Sequence, residues 1–93
     1  MSLFKISEKI VLNKLKKIEY GSLKLINYDG QVFHFGNLEN ELTADIKINN
    51  EKFYFNIIIG GSSALGEAHM SKDFYSTNLT NLIELTARNI RLV

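Results

Sequence analysis

The stretch LTADIKINNEKFYFNIII, residues 42–59, carries the densest pattern in the chain. Leu42, Ala44, Ile46 and Ile48 alternate with Thr43, Asp45, Lys47 and Asn49, which gives a strand one buried and one wet face. Asn49-Asn50 tolerates positive φ and predicts a turn. Phe53, Phe55, Ile57 and Ile59 then line one face of a further strand, with Tyr54, Asn56 and Ile58 on a partly covered opposite face. On the N-terminal side, SLKLINYDGQVFHFG, residues 22–36, supplies two more β-rich runs around Asp29-Gly30, a dipeptide favoured in two-residue hairpin loops. The pattern predicts a four-stranded antiparallel meander with one face packed on helices.

Helical patterns flank these strands. Within residues 1–20, Leu3, Phe4, Val11, Leu15 and Ile18 share one side, flanked by Ile6 and Ile10, with Lys5, Lys9 and Lys16 opposite. Tyr20-Gly21 predicts the end of that helix. After Gly60-Gly61, residues 64–75 predict a short helix or helical turn. A final helix opens near Ser76-Thr77-Asn78, any of which suits an N-cap, and its apolar stripe is Leu79, Leu82, Ile83, Thr86 and Ile90. The expected fold class is α+β, as a single domain over residues 1–93. The final Arg91-Leu92-Val93 brings no Gly, Pro or polar cap to close the last helix, so the chain is expected to be the front of a longer protein.

Composition narrows the function classes. Ninety-three residues make one small core. An apolar content of 45% with 23% charged residues fits a globular domain. No cysteine occurs, so disulfides, thiolate metal ligands and a Cys nucleophile are excluded, in keeping with a cytoplasmic location. A net charge of +1 argues against nucleic acid as a partner. No apolar run exceeds three residues, as at Ile57-Ile58-Ile59, which excludes a simple membrane-spanning segment. Lysines interrupt the N-terminus throughout, so it does not read as a secretory signal.

The stretch GGSSALGEAHMSKDFYS, residues 60–76, is where chemistry would be sought. Gly61 and Gly66 have phosphate-loop spacing, yet Glu67 stands where that motif needs lysine and would repel a nucleotide. Ser62, Ser63, His69 and Asp73 supply the residue types of a hydrolytic triad without a nucleophile elbow, and turn-forming roles fit them better. Glu67, His69 and His34 lack a metal-ligand spacing signature; structural histidines are expected at both positions. The expected role of the stretch is a strand-to-helix handover. No catalytic or metal-binding residue is assigned.

Three segments together carry a resemblance: YGSLKLINYDGQVFHFG (residues 20–36), ADIKINNEKFYFNIIIGGSSALGEAHMSKDF (44–74) and LTNLIELTARN (79–89). The ordered elements are Gly21 with Leu23, Asp29-Gly30, Phe35-Gly36, Gly66-Glu67-Ala68, Leu79-Thr80 with Leu82, and Arg88-Asn89. In this order they resemble the N-terminal domain of cyclopropane-fatty-acyl-phospholipid synthases. The chain departs from that pattern in having His69 for Tyr, Lys72 for Gly and Phe74 for Trp.

The resemblance implies a small, sterol-carrier-like α+β lipid-binding module. It would dock on the phospholipid membrane surface and communicate with its own catalytic domain. That methyltransferase domain, expected beyond residue 93, would bind S-adenosylmethionine, so this chain is expected to hold no cofactor. Glu67, His69 and Phe74 become candidates for contact with the catalytic domain or the lipid entrance; the competing reading makes Glu67 an N-terminal helix cap. Residues 1–20 hold five lysines and two glutamates, so Lys5, Lys9 and Lys16 become candidates for membrane-surface contact. The competing reading is a core-packing helix with a solvated lysine face. The expected location is cytoplasmic and peripherally membrane-associated. A stand-alone small lipid or fatty-acyl carrier is the alternative function, and a protein-interaction module a third.

Overall fold

The computed structural model describes residues 2–37 and 41–89, with the side chain of Ser62 outside the description. The element order is α1 (Leu3–Leu15), β1 (Ser22–Ile26), β2 (Val32–Gly36), β3 (Thr43–Ile48), α2 (Lys52–Met70), β4 (Phe74–Tyr75) and α3 (Leu79–Asn89). The α+β class with an N-terminal helix and a four-stranded sheet is as expected. The expected last-helix residue Ile90 and the chain end at 91–93 lie outside the described residues.

The sheet is mixed and ordered β2-β1-β3-β4. β1 pairs antiparallel with β2 and parallel with β3, while β4 closes the far edge antiparallel to β3. This corrects the expected antiparallel meander. β2 and β3 flank β1 on opposite sides, so β1 is an interior strand. Two rows of side chains build the core face: Phe35–Leu23–Ala44 and Phe33–Leu25–Ile46. The opposite face carries Lys24, flanked in register by His34 and Asp45, so the alternation read over residues 42–49 holds in β3 and extends in register to β1 and β2.

A second correction concerns residues 53–59, which form the first half of α2 and not a strand. Aromatic and β-branched residues favour a strand locally, but tertiary packing decides here. Phe53, Tyr54, Ile57, Ala64, Leu65 and Ala68 are all buried along one side of α2, a helical spacing. Asn49-Asn50 starts this helix and does not turn a hairpin: the Lys52 amide donates to Asn50 Oδ1 at 2.8 Å, which satisfies one orphan donor. The fourth strand is Phe74–Tyr75, two residues long.

Local chemistry sets the remaining boundaries. The hairpin turn over residues 27–30 closes through the Gly30 amide on the Asn27 carbonyl at 2.9 Å. Gly30 takes φ 88°, the left-handed residue of a longer loop than the two-residue one expected. Helix α1 stops at Leu15, short of Tyr20-Gly21, though Ile18 remains buried. Asn78 caps α3, accepting from the Asn81 amide at 3.0 Å. Leu82 and Leu85 anchor that helix in the core, while Ile83 faces outward.

Candidate functional site

The helices do not close fully over the sheet. Between them lies a cavity of about 260 Å³, with Leu23, Leu25 and Ile46 contributed by the sheet. Val11, Ile57, Leu65 and Leu82 line its sides from the three helices. Protein cores are normally packed at crystal density, with few voids larger than a water molecule. An apolar void of about 150 Å³ already admits benzene. This space can therefore hold a small apolar ligand or one segment of a chain.

Gly60-Gly61 bends the helix whose two halves both line the space. Gly61 sits at φ 62°, ψ −143° inside α2 and kinks it; that region of backbone space belongs essentially to glycine. Ile57 and Ile58 precede the kink, Leu65 follows it, and all three line the cavity. At Gly60 an added Cβ would come within 2.7 Å of Ala64 Cβ. The glycines thus form a bend within one helix rather than a strand-to-helix handover or a phosphate loop.

The rim is apolar with a single charge. Ile10 and Ile58 line the cavity and remain 43% and 41% exposed. Lys14 is the one charged side chain among the lining residues, and Thr86 lies on the α3 side. On α1, Leu3 and Ile6 are also exposed and share a helix face with Ile10.

A polar chain runs from the cavity wall to the surface. The fully buried Tyr54 lines the cavity and its hydroxyl donates to Asn27 Oδ1 at 2.6 Å. Asn27 Nδ2 donates to Glu8 Oε2 at 3.2 Å, and Tyr28 donates to Glu8 Oε1 at 2.6 Å. Lys5 Nζ completes the chain by donating to Tyr28 at 2.6 Å. Burial holds the Tyr54 hydroxyl far above the usual tyrosine range, and desolvation likewise raises Tyr28. The bond to Tyr28 raises Lys5. Each hydroxyl stays protonated at neutral pH and holds the network shut.

The structure separates the residues singled out in the sequence. Glu67 is exposed in the last turn of α2, where its carbonyl accepts from the Ser71 amide. It therefore does not cap a helix N-terminus. His69 is exposed and its ring lies 5.7 Å from that of the buried Phe74. Phe74 packs inward on Phe53 at 5.3 Å. Asp73 accepts from Asn50 Nδ2 at 2.8 Å, Ser63 is exposed, and His34 lies on β2 opposite Lys24. Among the described residues no group of three His, Cys, Asp or Glu side chains is placed to hold a metal ion. Lys5, Lys9 and Lys16 are all exposed, with Lys5 drawn onto Tyr28.

Several elements of the ordered motif meet in space. Asn89 Oδ1 accepts from the amides of Glu19 and Tyr20 at 3.1 and 2.9 Å, while its Nδ2 donates to the Tyr20 and Leu85 carbonyls. The Arg88 guanidinium lies 4.7 Å from the centre of the Tyr20 ring. Beside them, Gly21 and Gly36 both take φ 87°. The motif thus marks a structural clasp, whereas the cavity is lined by Lys14 and Leu65, which the sequence pattern does not single out, and by Tyr54, which it places on a strand. For Tyr54 and Leu65 the available signal was the helical spacing of Phe53, Tyr54 and Ile57 before the kink and of Ala64, Leu65 and Ala68 after it.

Compared with family models, curated proteins and solved structures, the chain finds no match. Among the described residues no helix is long and apolar enough to cross a membrane.

Proposed function

We propose that this chain is a non-catalytic lipid-binding domain whose central cavity receives an apolar chain. The observation that carries the reading is the apolar space of about 260 Å³ in so small a core. Leaving it unfilled forfeits dispersion contacts that every lining side chain would otherwise make. Function is the reason to keep such a void.

The ordered motifs support a wider setting for the same module. It serves as the N-terminal docking domain of a cyclopropane-fatty-acyl-phospholipid synthase-like methyltransferase that modifies unsaturated acyl chains of phospholipids. S-adenosylmethionine binds in the catalytic domain of that protein; the exposed Glu67 and His69 remain candidates for contact with it, whereas Phe74 is buried and would act only by supporting His69 from beneath. The location is cytoplasmic, with peripheral attachment. Exposed Leu3, Ile6 and Ile10 give α1 an apolar line for a bilayer, with Lys9 and Lys16 reaching anionic headgroups at about 1 kcal/mol each. A stand-alone fatty-acyl carrier would use the same cavity without the docking role.

The cavity reading is tested with a neutral naphthylamine dye whose fluorescence rises in apolar surroundings. Saturable binding is expected, and Leu65→Phe should abolish it while raising stability by about 1 kcal/mol, as cavity filling does. Should Leu65→Phe overpack the site, Ile57→Phe provides a second filling. Absent or undiminished dye binding in a folded variant would sink the reading. Docking is read separately by co-sedimentation with anionic vesicles at low salt, which Lys9→Glu with Lys16→Glu should abolish.

A further inference from the structure

Resting on the cavity reading, we infer that the occupant is a single-chain fatty carboxylate, with its apolar tail inside and its head paired with Lys14 at the rim. Cavity size limits the tail to one chain. A space of about 260 Å³ falls just below the range of ~300–1,000 Å³ typical of sites for drug-sized ligands. One apolar chain segment fits it; two chains side by side do not.

Charge places the head at the rim. The sheet and the inner helix faces offer the ligand aliphatic and aromatic surface. Tyr54, the polar group of the inner wall, has its hydroxyl committed to Asn27. Thr86 likewise donates its hydroxyl to the Ile83 carbonyl at 2.9 Å. The interior therefore has no good place for a charged head, and burying one unpaired there would be costly. At the rim Lys14 is exposed in the last turn of α1, and its side chain enters no ion pair among the described residues. Lys16 and Lys17 follow it in sequence and are also exposed. A ligand with its tail on Leu25 and Leu65 would leave its head near this cation. Lysine serves such a head as a mobile point charge with three donors.

Calorimetric titrations with decanoate, decan-1-ol and decyltrimethylammonium share one tail and vary only the head. Decanoate should bind about fivefold tighter than decan-1-ol at low salt, the scale of an exposed ion pair. The cation should bind more weakly than either. High salt and Lys14→Met should each reduce decanoate to the level of decan-1-ol and leave decan-1-ol unchanged. Equal binding of decanoate and decan-1-ol to the unaltered protein would overturn the inference while keeping the apolar cavity as a binding site. A preference for decanoate that survives Lys14→Met would also overturn it, by placing the head elsewhere. Failure of all three ligands to bind would remove the cavity reading itself.

Discussion

Around Gly21 and Gly36 the chain has no spare volume, whereas beneath α1 it leaves about 260 Å³ unfilled. A Cβ on Gly21 would lie 2.5 Å from Leu85 Cδ1 and 2.6 Å from the Leu42 carbonyl oxygen. One on Gly36 would overlap the Gly21 carbonyl oxygen. Both regions belong to one continuous core, so the difference is not one of composition. The clasp joins β1, β2, the residue before β3 and the end of α3 through backbone and the Asn89 side chain, with Arg88 over the Tyr20 ring. The cavity is bounded by side chains on a bent helix that cannot converge. A small domain can therefore tolerate an open centre when its periphery is tied by specific, close contacts.

The harshest way to break that comparison is Gly36→Ala. Overlap with backbone and a positive φ act together, and the expected loss is about 3 kcal/mol, read from the denaturant midpoint. A loss below a third of that would mean the clasp has slack. Next comes Asn89→Ala, which removes four hydrogen bonds to the Tyr20 segment and Leu85. At roughly 0.5 kcal/mol or more for each bond, the expected loss is about 2 kcal/mol. Amide exchange at Tyr20 should accelerate far more than exchange in α2. Uniform acceleration would show that Asn89 is not a local tie.

How much of this was legible depends on the range over which each feature is decided. Alternation in β1, β2 and β3 is local, and so is the Asn78 cap. The strand order is not. Parallel pairing of β1 with β3 depends on where residues 37–42 carry the chain, and β4 is too short for any period to show. Residues 53–59 misled for a definite reason: Phe, Tyr and Ile favour strands, while the helix they form is selected by burial of Tyr54 and Ile57 and by the bend at Gly61. The cavity is harder still, because a void records which side chains fail to meet. The motif order in the sequence did contain the clasp, as Tyr20-Gly21 and Arg88-Asn89, without disclosing that they touch.

The cavity wall offers a smaller test. Tyr54→Phe leaves Asn27 Oδ1 without its buried donor and should cost about 1.5 kcal/mol near neutral pH. The same substitution changes the response to base. The folded-state value of Tyr54 is raised by burial, so the native state keeps a proton that the unfolded chain releases near pH 10. Its contribution is complete below about pH 10 and falls as pH rises toward the folded value. Tyr54→Phe should therefore flatten the alkaline decline in stability, with Tyr28 and Lys5, both also raised, contributing to what remains. An unchanged slope would mean that water reaches this hydroxyl through the cavity.

The smallest effect expected is a gain, at the turn between α2 and β4. Lys72 takes φ 61°, a left-handed conformation that costs an ordinary residue roughly 1–2 kcal/mol. Neighbouring contacts hold it there: Asn49 Nδ2 donates to the Lys72 carbonyl at 2.9 Å, and the Asn49 amide donates to the Asp73 carbonyl at 2.8 Å. Glycine adopts this conformation freely but loses more entropy on folding, by about 0.5–1 kcal/mol. Lys72→Gly should therefore stabilise the domain by about 0.5 kcal/mol, with the denaturant slope unchanged. Lys72→Ala serves as the control, since it removes the same charge and keeps the Cβ. If both substitutions stabilised equally, charge near the end of α2 would be responsible, and the turn would be unstrained. A gain confined to glycine would locate the strain in the backbone and show that the tie at this end of the sheet, unlike the one at Gly36, is held against a local preference.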